Sequence, residues 1–210
     1  MTVTIDEKRP RAAILGCAGT ELGAEERFFF SQTDPLGFIL FARNCESPDQ
    51  VRALTADLRE AVGRDDAPIL IDQEGGRVQR LGPPLWQSRP SQALFARIAE
   101  DDRAHAREAA SINARLIAEE LRDLGIDVDC LPVLDVPVTG AHDIIGDRAF
   151  GNDPEIVADL GLSVMAGLMA GGVTPIVKHI PGHGRASVDS HLDLPVVDAG
   201  PDTLRRTDFA

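Results

Sequence analysis

The densest group of side chains able to move protons is Lys178-His179-Ile180-Pro181-Gly182-His183-Gly184, followed by Asp189-Ser190-His191. Three of the chain's five histidines fall in the stretch 179–191. A histidine beside an aspartate can act as general acid and base, because its unperturbed pKa is about 6.5 and the carboxylate fixes its tautomer and stabilises the imidazolium. Asp189 and His191 are two positions apart, so in an extended loop their side chains share one side of the backbone. Gly182 and Gly184 make that loop deformable, as a closing lid requires. A divalent metal on His179, His183, Asp189 and His191 competes with this acid/base dyad. The His179/His183 pair, however, is interrupted by Ile-Pro-Gly, which breaks the helix that would put both rings on one face, so no metal or other cofactor is expected. For His183 a structural role, donating to loop carbonyls, stays open.

Two more runs carry chemistry. Pro68-Ile69-Leu70-Ile71 delivers Asp72-Gln73-Glu74-Gly75-Gly76-Arg77-Val78-Gln79-Arg80 at a strand end. The two glycines let backbone approach a ligand, and Asp72 and Arg80 can hydrogen-bond hydroxyls from opposite sides. The alternative is a polar turn with a solvated arginine. A carboxylate directly after buried strand residues tips the balance toward a site. In Gly146-Asp147-Arg148-Ala149-Phe150-Gly151, Asp147 and Arg148 form either an ion pair closing the loop or a donor fork for ligand oxygens.

What must position these residues is a series of short apolar runs alternating with helical periodicities, the βα rhythm of a parallel sheet. Candidate strands, read as buried on both faces, are Ala12–Cys17, Gly37–Phe41, Pro68–Ile71, Ile126–Leu131 and Val173–Val177. One helix opens with Ser47 as N-cap, Pro48 in the first turn and Gln50 completing a capping box, then runs through Val51, Leu54, Leu58 and Val62. A second carries Ile112, Leu116, Ile117, Leu121 and Leu124 and stops at Gly125. A third starts at Asp153-Pro154, continues through Ile156, Leu160, Val164 and Leu168, and ends at Gly171-Gly172. Long polar strand-to-helix loops favour a (β/α)8 TIM-like barrel, with active residues at the C-terminal strand ends. A doubly wound sheet lacks its glycine-rich phosphate fingerprint here. Eight strands take roughly 250 residues, and this chain has 210. The expectation is one partial barrel domain over 1–210, with the last strands missing.

The formal charge of −13 disfavours nucleic acid held through its phosphates, and aromatic residues at 4% with no tyrosine argue against a base-stacking surface. Cys17, Cys45 and Cys130 are widely spaced and odd in number, which fits a reducing compartment. Met1–Pro10 carries Asp6, Glu7, Lys8 and Arg9 with no apolar core of a leader, and no run approaches roughly 18 apolar residues. The expected location is cytoplasmic, with no membrane partner.

Together the segments Ile71–Arg80, Ile145–Gly151, Lys178–Gly184 and Asp189–His191 resemble glycoside hydrolase family 3, specifically its bacterial cytoplasmic β-N-acetylhexosaminidases of peptidoglycan recycling. The resemblance runs from about Ala12 to the last residue and includes Phe38-Ile-Leu-Phe-Ala-Arg-Asn44; at Ile180 the family usually has phenylalanine. It implies a (β/α)8-like barrel that removes terminal N-acetylglucosamine from muropeptides with retention of configuration. By that resemblance Asp72, Arg80, Arg148, Lys178 and His179 bind the sugar, His191 is the acid/base and Asp189 orients it. Retention also needs a carboxylate nucleophile. In the family that aspartate lies on a later strand, in a Ser-Asp-Asp-like motif absent before Ala210. Asp193 and Asp198 are not at strand ends and are not promoted to that role. The chain thus reads as a C-terminally truncated member. The alternatives are an inactive fragment or sugar-binding remnant and, third, a metal-dependent hydrolase. Incomplete barrel edges are expected to promote self-association.

Overall fold

The computed structural model describes residues 9–210. In chain order its elements are β1 (Arg11–Leu15), α1 (Ala24–Thr33), β2 (Pro35–Leu40), α2 (Pro48–Val62), β3 (Ile69–Ile71), β4 (Gln73–Gly75), β5 (Val78–Gln79), α3 (Gln92–Asp101), α4 (Arg103–Asp123), β6 (Val128–Asp129), α5 (Pro154–Ala170), β7 (Thr174–Pro175) and α6 (Pro201–Arg206). Five parallel strands form one sheet in the order β1-β2-β3-β6-β7, while β4 and β5 make a separate antiparallel hairpin. This is a TIM-barrel-like α/β fold that does not close among the described residues.

The register explains where a site forms. Leu40 pairs with Ile71, Ile71 with Asp129, and Asp129 with Pro175, so these strand ends share one row. Asp72, Cys130 and the Ile176–Lys178 segment follow them directly onto the same rim. Bulky apolar residues hold the row in place: Phe38, Leu40, Ile69 and Ile71 are buried against Leu54 and Leu58 of α2 and Leu121 of α4.

Helix ends follow the local chemistry. The Ser47 hydroxyl accepts from the Gln50 N–H at 3.3 Å. Gln50 does not close a box on Ser47; its Oε1 accepts from the Glu46 N–H at 2.8 Å, one residue further back, and its amide donates to Thr20 O and Asn44 O. Gly125 has φ +76°, and a Cβ there would lie 2.6 Å from Thr55 Oγ1, so only glycine turns the chain from α4 into β6.

Three expectations need correction. β1 is exposed along four of its five residues, not buried on both faces, because among the described residues it is an edge strand flanked only by β2. Most strands are also shorter than the apolar runs around them, above all β6 and β7 at two residues each, whereas β2 is longer, starting at Pro35 and ending at Leu40. In α4, Ile112 and Leu116 are exposed, and the buried stripe is Ala106, Ala110, Ala114, Ile117, Ala118 and Leu121. Small residues win that face because α5 crosses close by: a Cβ on Gly167 would sit 2.2 Å from Ser111 O. α1, α3, α6 and the hairpin were not anticipated.

Candidate active site

Asp72 leaves β3 at the rim and is met by two cations. Lys178 Nζ donates to its Oδ1 at 2.8 Å and Arg80 to its Oδ2 at 3.0 Å. The hairpin brings Arg80 back to Asp72, and buried Gln73 fixes that return. Its Oε1 accepts from the Arg80 and Leu81 N–H groups, at 2.9 and 3.0 Å, and its amide donates to Leu81 O. Burial raises the Asp72 carboxyl, but Lys178 and Arg80 outweigh it and hold the group below the usual carboxylate range.

Glu74, buried, accepts a bidentate fork from Arg148 at 2.9 Å on each oxygen and a bond from Lys178 at 2.5 Å. Burial alone would lower Lys178; facing Glu74 and Asp72, its ammonium is instead held above the ordinary lysine value. Of the two readings of Asp147 and Arg148, the ion pair between them does not form: Asp147 pairs with Arg77 at 3.1 Å, and Arg148 reaches across to Glu74. Buried Gln92 at the start of α3 donates to Val133 O and to Arg148 O, tying this arginine's backbone to the β6 side.

His179 lies between Asp135 and Arg148. Its Nδ1 is 2.6 Å from Asp135 Oδ2, and Arg148 approaches its Nε2 at 3.2 Å. A guanidinium can only donate, so Nε2 accepts and the ring proton sits on Nδ1, facing Asp135. Asp135 also accepts from the His183 N–H at 2.6 Å. Burial pushes the Asp135 carboxyl up, yet these bonds more than reverse the rise and hold it below the ordinary range. His183 therefore serves through its backbone. Both of its ring nitrogens are buried without a partner among the described residues, so the bonds to loop carbonyls left open by the sequence are not made.

His191 Nδ1 is 2.6 Å from Asp189 Oδ1, whose carboxyl is lowered by the His191 N–H and ring. The imidazole is 76% exposed at the rim. Asp72, Arg80, Arg148, Lys178, His179 and His191 all line one cleft of about 560 Å³; Asp189 stands behind His191 and does not. Of the residues that the metal reading required, His179 is engaged by Asp135 and His191 by Asp189. Among the described residues no three histidine, cysteine or carboxylate side chains converge to hold a metal. Cys130 also lines the cleft, its thiol pushed up to about 11 by burial and by Asp72, so it is not a nucleophile at neutral pH.

Sequence reasoning missed Asp135 and the role of Glu74. Asp135 had the signal that marked Asp72: an apolar run, Leu131-Pro-Val-Leu134, ending in a carboxylate. Such a cleft offers alternating donors and acceptors for a hydroxylated ligand, with an oriented imidazole at its edge for proton transfer. Its lining carboxylates, Asp72 and Glu74, are both ion-paired, so neither is free to attack.

Comparison with known proteins identifies the family and the fold. The sequence profile of the glycosyl hydrolase family 3 N-terminal domain matches residues 15–210. The chain is 41% identical over 182 residues to a beta-hexosaminidase of Alkalilimnicola ehrlichii, covering 87% of this chain and 51% of that protein. It is 40% identical over 196 residues to one of Methylobacillus flagellatus, covering 93% and 55%. The crystal structure of NagZ from Neisseria gonorrhoeae in complex with N-trifluoroacetyl-D-glucosamine superposes with a TM-score of 0.89 at 36% identity, over 96% of this chain and 59% of that one. The chain spans about half the length of the curated relatives it matches. It belongs to glycosyl hydrolase family 3, of which it carries the N-terminal domain sequence.

Proposed function

We propose that this chain is the sugar-binding and acid/base part of a retaining β-N-acetylhexosaminidase, which releases terminal N-acetylglucosamine from peptidoglycan-derived muropeptides in the cytoplasm. The observation that carries this reading is the His191–Asp189 pair at the mouth of a cleft floored by Asp72, Arg80, Arg148, Lys178 and His179. On this reading 1–210 acts as one partial barrel domain. Asp72, Arg80 and Lys178 hold sugar hydroxyls, Arg148 and His179 complete the pocket, and His191 protonates the departing oxygen and later deprotonates water. Asp189 keeps the imidazole in the tautomer that presents Nε2. The carboxylate nucleophile comes from outside this stretch of sequence, since both carboxylates in the cleft are neutralised. No metal is assigned a part, because acid/base and nucleophile chemistry at a glycosidic bond needs none.

Isothermal titration of the chain with N-acetylglucosamine tests the binding half. Weak saturable heat is expected for the wild type and none for Asp72→Ala, and equal heats would sink the assignment. Turnover of an aryl N-acetylglucosaminide by this chain is expected to be very slow or absent. In a longer relative His191→Ala should slow natural substrates far more than aryl glycosides, since acid assistance matters most for a basic leaving group. Equal losses on both substrates would make His191 a binding residue.

A further inference from the structure

Arg77 is not among the residues lining the cleft, and its side chain is 42% exposed. An exposed arginine is ordinarily a solvated charge. Here its surroundings are built for it. One terminal nitrogen donates to three consecutive carbonyls, Asp143 O at 2.7 Å, Ile144 O at 2.9 Å and Ile145 O at 3.0 Å, while its Nε reaches Asp147 Oδ1 at 3.1 Å. The loop closes on it tightly. Gly146 has φ +44°, and a Cβ there would lie 3.0 Å from the same guanidinium nitrogen and 2.6 Å from Asp143 Oδ1.

The segment so grasped ends in Arg148, which sends its own fork back to Glu74 and also donates to Ile144 O at 3.1 Å. Hairpin and loop thus exchange arginines in opposite directions. Ile144 and Ile145, whose carbonyls Arg77 holds, are themselves part of the cleft wall. Between β6 and α5 the chain has no helix or strand to stiffen it beyond the short 3-10 turn Gly146–Arg148. A side chain bridging three carbonyls and one carboxylate there supplies the rigidity that regular structure does not.

We propose that Arg77 is a positioning residue, whose grip on the 143–147 loop aims Arg148 and the adjoining cleft wall at the sugar. Its effect on binding rests on the function proposed above; its effect on the loop does not.

The test uses the full chain, with hydrogen–deuterium exchange of the unliganded protein beside calorimetric titration with N-acetylglucosamine. Arg77→Ala is expected to speed exchange selectively at the amides of residues 144–149 and to weaken sugar binding about tenfold. Arg77→Lys, shorter but carrying three donors for three carbonyls, should recover part of that affinity. Unchanged exchange at 144–149 would overturn the proposal, as would wild-type affinity in a variant whose loop has loosened. Selective loosening in a chain whose wild type binds no N-acetylglucosamine would support the grip of Arg77 and remove the sugar reading instead.

Discussion

Asp72, Glu74 and Asp135 meet Arg80, Arg148, Lys178 and His179 at the strand ends, so ionised acids there are individually compensated. Asp129 is not. It is fully buried, accepts from the Gln73 N–H on Oδ1 at 3.0 Å and leaves Oδ2 without a partner. Burial pushes its carboxyl well above the ordinary range; the Gln73 N–H and Lys178 pull back in part, while Asp72 and Glu74 add to the rise. The sign follows from linkage. An unfolded chain gives up this proton near pH 3.8 while the fold retains it, so Asp129's contribution to stability is whole below that pH and drains away as pH rises toward the folded value. Asp72 and Asp135, both lowered, behave oppositely, contributing above that pH and losing the contribution as pH falls through their lowered values. Asp129→Asn keeps the acceptor for Gln73 and has no proton to lose. Thermal melts should therefore show it above wild type by a margin that widens as pH rises above the ordinary carboxylate range. A margin independent of pH would mean that Asp129 is charged in the fold.

At the scale of elements, the contact that the rest leans on is α4 against α5. Four alanines at spacing four on α4 and Gly167 and Gly171 on or just beyond α5 bring the two helices together. Gly167→Ala should gain roughly 1 kcal/mol of helix propensity. It should lose about 3 kcal/mol by forcing a methyl against Ser111 O. The expected net loss of about 2 kcal/mol lowers the melting temperature by roughly 4–8 °C, and a variant melting at or above wild type would show that the helices can part freely. The same interface marks what a sequence makes legible. The Ser47, Asp153 and Gly125 boundaries were readable because caps are local chemistry, and the rim positions of Asp72 and Lys178 because each follows an apolar strand run, whereas His191 lies in the loop beyond β7 and stood out only by its neighbour Asp189. The leucine and isoleucine side chains of α4 misled because a helix face is chosen by its neighbour's distance, which size alone does not encode. Asp135 was overlooked because its partner His179 is 44 positions away, and pairing over that span is set by β6 lying next to β7.

For the molecule as a whole, the unpaired outer edges of β1 and β7 are its most consequential feature. Among the described residues β1 pairs only with β2 and β7 only with β6. Each outer edge presents N–H and C=O groups in strand geometry, a template for pairing with another chain. Apolar side chains accompany both ends: Phe28, Phe29 and Leu36 beside β1 and β2, and Leu192, Leu194 and Val196 in the segment after β7 are exposed. Against association stands the net charge of −13, which makes copies repel at low ionic strength and does so progressively less as the Debye length shrinks from about 30 Å at 0.01 M to about 10 Å at 0.1 M salt. The two tendencies separate by their salt dependence. Sedimentation velocity should show mostly monomer in dilute buffer and a growing oligomer fraction as salt is raised. Phe28→Glu, which places a charge at an exposed apolar position of α1 without touching the cleft, should move that transition to higher salt. Oligomers that dissociate on adding salt would assign the association to ion pairs, and a chain monomeric throughout would mean that its own loops already shield both edges.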